Sequence, residues 1–540
     1  MNKYTLVMLS VIGGCISGLA WTDWCTGLVL LIGFVPFFLI EHYMSANRYK
    51  YSENAFFLYL LPGFVAFCII SLGWIRVISI IAAIGVIMGV SFLMAFTMWL
   101  AHKIKLKAGT IPGYVAFISF WLTFEFLCLY IDILSPWVNL GNGLSKDIRF
   151  IQWYEITGTG GGSLWILTSN ILLAVIITGS QTEKKKSVLF TIIWLPIILI
   201  PVLISFYRYN KIEEKDQEET EIVIIQPNFD PYTEKFTIPF EKQLEKVIRM
   251  AEPIVTEKTA WVITPETTVD DPVNEDDIFV NKYVEMLREL AYDNPHTSIV
   301  AGMVTFRHSD PTPETVVAGK KQTGRSDLFY ETYNSALQID TSNTVKVYHK
   351  SKLVAGFETQ FSPALGRIIS KLLPALGGIN RDYGIQEERI CFEQPLSREK
   401  AAPIICYESV YGKHVSGYVR EGANMLFIIT NDGWWKNSLG YKQHLSFASI
   451  RAIETRRPVA RAANTGISCF IDIKGRLSEK TGWWTCETLK GNIIAESRMT
   501  PYVKYGDYIL SFSIIISAIV MITAFIVIPL IGKNKTSKII

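Results

Sequence analysis

Long apolar stretches dominate the first 207 residues of the chain. About 17 to 25 such residues cross a bilayer core, so the pattern predicts seven membrane-spanning helices, at 4–21, 28–40, 55–74, 77–100, 114–134, 164–179 and 188–207, and an eighth at 508–531. Further apolar sequence follows residues 17–20 almost at once, so the first stretch reads as a span rather than a cleaved signal. From 208 to 507 short β-branched runs alternate with amphipathic stretches of helical period, the pattern of an α/β domain. Strands are predicted at 221–226, 260–264, 298–306, 335–340, 345–349, 403–405, 425–430 and 467–473, and helices at 240–255, 276–292 and 440–456. The expected organisation is a membrane domain at 1–207, a globular domain at 208–507 that begins with a charged spacer, and a closing span with a short tail at 508–540.

Basic residues orient these spans. Lys3, Arg48, Lys50, Lys103, Lys105, Lys107, Lys184, Lys185, Lys186, Lys533, Lys535 and Lys538 fall on one side, against only Arg76, Lys146 and Arg149 in the other short loops. The excess of Lys and Arg marks the cytoplasmic face. Both termini are therefore expected in the cytoplasm and the globular domain outside it.

Composition narrows the class. Half of the 540 residues are hydrophobic, 19% are charged and the mean hydropathy is +0.27, which excludes an ordinary soluble enzyme. A net charge of +3 from 52 basic and 49 acidic residues supplies no field for a polyanion, so no nucleic-acid partner is expected. Eight cysteines, with neither CxxC pairs nor histidines at ligand spacing, predict no metal site. Cys391, Cys469 and Cys486 share the globular domain, where two of them are candidates for a disulfide.

Three strings place a reactive side chain at the C-terminal end of an apolar strand, where α/β folds build their sites. They are WVITPE ending in Glu266, VKVYHK ending in Lys350, and PIICYE carrying Cys406. Each residue alone is also what the first solvated position after a strand looks like. Together they are the parts of an acyl-transfer site: a thiol nucleophile, a carboxylate to take its proton, and a cation to hold charge on an attacked carbonyl. His444 reads as a structural histidine.

These strings resemble the Glu-Lys-Cys triad of the carbon-nitrogen hydrolase, or nitrilase, superfamily. Further motifs extend the likeness over nearly the full chain to the superfamily's bacterial inner-membrane branch: QPNFDPY at 226–232, TYNS at 332–335, YHKSKLVAGFE at 348–358, CYE at 406–408, NDGWW at 431–435 and RAIETRRPVARAANTGIS at 451–468. The resemblance implies a polytopic α-helical membrane domain of about eight spans and an exported, nitrilase-like αββα sandwich. It implies Glu266 as general base, Lys350 as catalytic lysine, with Lys352 a decoy, and Cys406 as the nucleophile that becomes a thioester. Glu358 and Glu408 resemble accessory carboxylates, Tyr407 flanks the nucleophile, and Asn334 matches an asparagine near the pocket. Trp434 and Trp435 face substrate, anchor the domain at headgroup level, or pack in the core. The chain departs from the family at Phe236, where a tryptophan is frequent, and at Ala355-Gly356-Phe357-Glu358, where Pro-Phe-Gly-Glu is frequent.

The implied reaction is ping-pong: an acyl chain passes from a membrane phospholipid to Cys406 and then to the α-amino group of a lipoprotein's diacylglyceryl-cysteine, without metal or dissociable cofactor. The alternative is a membrane-tethered amidase or hydrolase using water as acceptor. A catalytically silent lipid-binding protein is disfavoured by the intact triad. The apolar segment 357–378 reads as an interfacial lid or as a packed insertion.

Overall fold

The computed structural model describes residues 1–131, 134–182, 184–212, 219–309, 321–322, 329–358, 383–397 and 399–529. Most of the expected lid segment, from 359 to 378, lies outside the described residues. The chain forms two compact units, one of residues 1–211, 438–446 and 505–540, the other of 212–437 and 447–504.

Seven helices among the described residues of the first unit are long and apolar enough to cross a membrane: Gly27–Ala46, Ala55–Val77, Ile80–Ala108, Thr110–Tyr130, Tyr154–Gly179, Lys184–Lys211 and Tyr508–Val527. Lys3–Leu19 is an eighth, shorter apolar helix. Each coincides with a predicted span. Backbone that leaves the helical ladder in apolar surroundings must find side-chain partners. The short 3-10 turn Leu140–Leu144 does so: Leu140 N donates to Glu125 Oε1 at 2.7 Å, Gly141 N to Ser163 Oγ at 2.9 Å, and Tyr154 Oη donates to Gly141 O at 2.9 Å. Gly141 is required here, since a Cβ would sit 2.0 Å from Thr159 O. Gln443, buried in the same unit, receives the indole N–H groups of Trp74 (3.1 Å) and Trp137 (2.6 Å) at Oε1 and donates from Nε2 to Trp21 O (2.9 Å) and Ser71 O (3.2 Å).

The second unit is a sandwich of two sheets. The first contains β1 (Glu219–Gln226), β2 (Thr259–Ile263), β3 (Val269–Asn274), β4 (Ser298–Ser309), β5 (Lys321–Gln322), β6 (Phe329–Ile339), β7 (Lys346–His349) and β14 (Glu487–Ile494). Its main path runs β14-β1-β2-β4-β6-β5, with β3 on β4 and β7 on β6. The second contains β8 (Phe392–Glu393), β9 (Lys400–Ile405), β10 (Met425–Thr430), β11 (Val459–Ala463), β12 (Cys469–Ile471) and β13 (Leu477–Ser478), in the order β13-β12-β11-β10-β9-β8.

Alternation along the strands decides the layers. Val223 and Ile225 of β1 join Val262, Ile299 and Leu337 in a core with Leu244 and Val247 of the helix Phe240–Ala251 and Val284 and Leu287 of Lys282–Asp293. Trp261 of β2 meets Phe427 of β10 edge-on at 5.2 Å between the sheets. The helix Gly412–Arg420 packs on β9, completing the αββα order. The expected helix at 276–292 starts later, at Lys282, because Asn281 caps it: its side chain accepts from Tyr283 N at 3.0 Å. Every cysteine is free, so the candidate pairing among Cys391, Cys469 and Cys486 is not formed. Cys469 is fully buried in β12, whereas Cys486 is exposed with its thiol 3.6 Å from Met250 Sδ.

Candidate active site

Parallel pairing aligns the carboxyl ends of β2 with β4 and of β9 with β10, whereas β7, which leads to Lys350, pairs antiparallel with β6. Ile263 of β2 pairs with Val300 of β4, and Ile405 of β9 with Ile429 of β10. Glu266 lies on the turn after β2, where Thr268 Oγ1 donates to Pro265 O at 2.8 Å and Thr267 adopts φ +48°. Gly302 on β4 makes room for this turn, because a Cβ there would lie 2.3 Å from Pro265 O and 2.7 Å from Glu266 Cα. Lys350 follows β7 directly, and its N–H donates to Asn334 O of β6 at 2.8 Å. Cys406 follows β9 at φ +52°, a left-handed conformation that costs a non-glycine residue about 1–3 kcal/mol. The short 3-10 helix Cys406–Val410 begins there, and within it Ser409 Oγ donates to Cys406 O at 2.8 Å.

The three side chains converge in a site almost closed to water, with Glu266, Lys350 and Cys406 exposed by only 7%, 1% and 7%. Lys350 Nζ donates to Glu266 Oε1 at 2.9 Å and to Glu358 Oε1 at 2.8 Å. Asn334 Nδ2 duplicates both bonds, at 2.8 Å to Glu266 and 2.9 Å to Glu358. Asn431 N donates to Glu266 Oε2 at 3.2 Å, and the Cys406 thiol is hydrogen-bonded to Glu266.

Electrostatics define the resting state. Burial opposes charge on Glu266, but Lys350 and the hydrogen bonds from Lys350 and Asn334 outweigh it and hold the pKa below the ordinary value. Burial likewise opposes charge on Lys350, yet Glu266 and Glu358 raise its pKa well above the ordinary value. Burial, reinforced by the Glu266 charge, pushes the Cys406 thiol well up, with Lys350 pulling the other way. The resting site is therefore carboxylate, ammonium and neutral thiol. A carboxylate, an ammonium and a thiol so arranged are chemically able to pass the thiol proton to the carboxylate and to offer the ammonium to an oxyanion.

The accessory residues divide by contact. Glu358 touches Lys350 and closes its own turn: Glu358 Oε2 accepts from Val354 N at 2.9 Å while Gly356 turns the chain at φ +81°, one residue after Ala355. Asn334 links the two carboxylates. Glu408 is a structural bridge: Oε1 accepts from Tyr348 Oη and Ser351 N, both at 2.6 Å, and Oε2 accepts from Ile405 N at 2.8 Å. Tyr407 packs edge-on against Tyr411 at 5.3 Å. Trp434 lies among aromatics, 5.4 Å from Tyr232 and 6.4 Å from Phe236, and its carbonyl accepts from Tyr232 Oη at 2.7 Å. His444 is buried and stacks on Trp137 at 6.0 Å, in keeping with a structural role.

Sequence reasoning overlooked the buried scaffold around Asn431 and Asp432. Asn464 Nδ2 donates to Asn431 Oδ1 at 3.2 Å and to Phe229 O at 2.7 Å. Arg461 Nη2 donates to Asp432 Oδ2 at 2.6 Å with both side chains out of water. The NDGWW and RAANTGIS strings carried that signal.

Comparison with known proteins supplies the lineage of this arrangement. The carbon-nitrogen hydrolase family profile matches residues 212–499, and the apolipoprotein N-acyltransferase N-terminal domain profile matches 13–172. Apolipoprotein N-acyltransferase of Chlorobaculum tepidum is 26% identical over 93% of each chain, and that of Haemophilus influenzae is 25% identical over 94% of this chain and 92% of its own. A Saccharomyces cerevisiae member of branch 10 of the nitrilase superfamily aligns with 55% of this chain and 93% of its own at 14% identity and a TM-score of 0.36.

Proposed function

Since the chain belongs to the carbon-nitrogen hydrolase family, we propose that it uses this site for N-acylation of apolipoproteins, with Cys406 as the covalent carrier of the acyl chain. The carrying observation is that one chain joins a match to the N-acyltransferase membrane domain with a buried Glu, Lys and Cys in mutual contact. In the first half-reaction Glu266 takes the Cys406 proton. The thiolate attacks an ester carbonyl of a phospholipid, and Lys350 stabilises the oxyanion. Collapse expels the lysophospholipid alkoxide, which takes the proton from Glu266, and leaves a thioester. In the second half-reaction the α-amine of a diacylglyceryl-cysteine attacks the thioester. Glu266 receives the amine proton and returns it to the departing thiolate. Asn334 and Glu358 keep Lys350 charged and aimed; Glu408 positions the two strand ends.

The membrane domain gives this chemistry its setting. Drawing an acyl chain into water costs about 0.8 kcal/mol per CH₂, so both lipid substrates are best handled at the bilayer surface. The likeness to the apolipoprotein N-acyltransferases supports a bacterial inner-membrane protein, and the basic-residue asymmetry supports a catalytic unit on the periplasmic side with both termini in the cytoplasm.

Mass spectrometry of the full-length protein incubated with phospholipid alone tests the reading, with Cys406→Ala as control. The expected result is an acyl adduct on the Cys406 peptide that a diacylated lipopeptide discharges faster than water does. Equal discharge by water would make the protein a hydrolase, and absence of any adduct on a folded, lipid-supplied protein would sink covalent catalysis.

A further inference from the structure

A buried hydroxyl sits beside the proposed nucleophile without a part in the chemistry above. β9 and β10 run parallel in register up to Ile405 and Ile429, so the next residues, Cys406 and Thr430, stand side by side at the site end of the sheet. Thr430 is fully buried. Its Oγ1 donates to Asp432 Oδ1 at 2.9 Å. The other oxygen of Asp432 is taken by Arg461, which in turn donates from Nη1 to Ile467 O at 2.6 Å. Arg461, Asp432 and Thr430 thus form a hydrogen-bonded chain that ends beside Cys406.

A threonine has a single hydroxyl proton, and Asp432 holds it while the thiol is neutral. Loss of the thiol proton to Glu266 places a negative sulfur against the same hydroxyl. Arg461 already compensates the Asp432 carboxylate, so rotation about the Thr430 Cβ–Oγ1 bond exchanges one anionic acceptor for another. No proton leaves Thr430.

We propose that Thr430 is a catalytic residue: its hydroxyl turns from Asp432 to donate to the Cys406 thiolate, stabilising it before attack and again when the thioester breaks. The proposal rests on Cys406 being the nucleophile. The electrostatics of the site agree with it. Burial and Glu266 push the thiol pKa up and Asp432 adds to this, whereas Lys350 and the hydrogen bond from Thr430 pull it down. Arg461 stands one step behind Asp432.

Thr430→Val removes the hydroxyl at nearly constant shape, and Thr430→Ser keeps it. The measurement is the rate of iodoacetamide alkylation at Cys406, read by peptide mass spectrometry on the full-length protein across pH. Thr430→Val is expected to shift the alkylation midpoint upward by about one pH unit and to slow phospholipid-dependent acylation roughly tenfold, as loss of one hydrogen bond to an anion would. Thr430→Ser is expected to match the wild type in both. A Thr430→Val protein of wild-type thermal stability and wild-type alkylation profile overturns the proposal, as does a Thr430→Ser protein that behaves like the valine variant. Should the valine variant fail to fold, Thr430→Ala compared with Thr430→Ser gives the same contrast. Full acyl transfer by Cys406→Ala would instead defeat the nucleophile assignment, and the two failures are separately readable.

Discussion

Glu408 accepts a hydrogen bond from the backbone N–H of Ser351 at 2.6 Å, tying the residue that follows Lys350 to the turn that carries Cys406. The same carboxylate accepts from Tyr348 Oη and Ile405 N, so its two oxygens hold both strand ends together. An amide at this position would turn its NH₂ toward a backbone N–H on one side or the other. Glu408→Gln is therefore expected to act as a structural lesion. It should lose about 2–4 kcal/mol of stability in the catalytic unit and slow thioester formation by at least about tenfold. Thermal unfolding and single-turnover acylation measure both, and a variant with wild-type values would show that the bridge is dispensable.

Gly302 and Glu266 give a sharper geometric test. Because a Cβ on Gly302 would meet Pro265 O at 2.3 Å, Gly302→Ala must push the turn that presents the proposed base. Overpacking of this kind costs about 1–3 kcal/mol. A displacement of about 1 Å at a catalytic group lowers rates by about a hundredfold. The expected signature is a larger loss in acylation rate than in phospholipid affinity.

Asn334 probes the charge balance. Its Nδ2 donates to both Glu266 and Glu358, beside the bonds that Lys350 Nζ gives to the same two oxygens. Asn334→Asp adds a third carboxylate and removes a donor, so the Glu266 pKa should rise and acylation should fall about 10- to 100-fold. The acid limb of the acylation profile should move to higher pH, and an unmoved limb would dissociate Asn334 from Glu266.

The grouping of Glu266, Lys350 and Cys406 was legible because each follows an apolar β-branched run directly or within three residues, which sequence pattern reports well. The scaffold behind it was not. β11 escaped notice because Arg461 interrupts its apolar run, although that arginine is fully buried against Asp432. β14 reads as polar because it lies at the edge of its sheet, paired on one side to β1. Glu408 read as an accessory carboxylate from its place in the CYE string, and only the fold shows that it points at backbone donors. Trp434 stayed open among three roles, and the structure places it in an aromatic group with Tyr232 and Phe236.

The pKa directions separate the two half-reactions. Glu266 is held below the ordinary 4.5, so its basic form is complete at neutral pH and is lost only as pH falls through a value below that. Lys350 is held well above 10.5, so its charge persists until pH rises past that range. Thioester formation should therefore stay level within about twofold from about pH 6 to about pH 9. Aminolysis consumes a neutral α-amine whose ordinary pKa is roughly 7.7–8.0, so its rate should rise about tenfold per unit below that and then level off. Rapid-quench measurement of the two steps decides this. A tenfold rise per unit in thioester formation across neutrality would mean that the thiol ionises to solvent before attack, and Glu266 would lose its role as base.

Gln443 carries the last prediction, in the membrane unit. Its Oε1 accepts two indole N–H groups and its Nε2 donates to two backbone carbonyls, so all four partners sit out of water with this one amide between them. Gln443→Leu keeps the volume and leaves two buried donors and two carbonyls unsatisfied. Each such group costs about 1–3 kcal/mol, so the variant should unfold at a clearly lower temperature in detergent. Gln443→Glu restores the acceptor for Trp74 and Trp137 but sets carboxylate oxygen against the Trp21 and Ser71 carbonyls, and it should fall between leucine and wild type. Alkylation of Cys406 below the transition should be unchanged in both variants, since Gln443 touches no group of the site. Equal thermal stability of wild type and Gln443→Leu would show that water replaces the amide, and that the segment 438–446 is held by its apolar contacts alone.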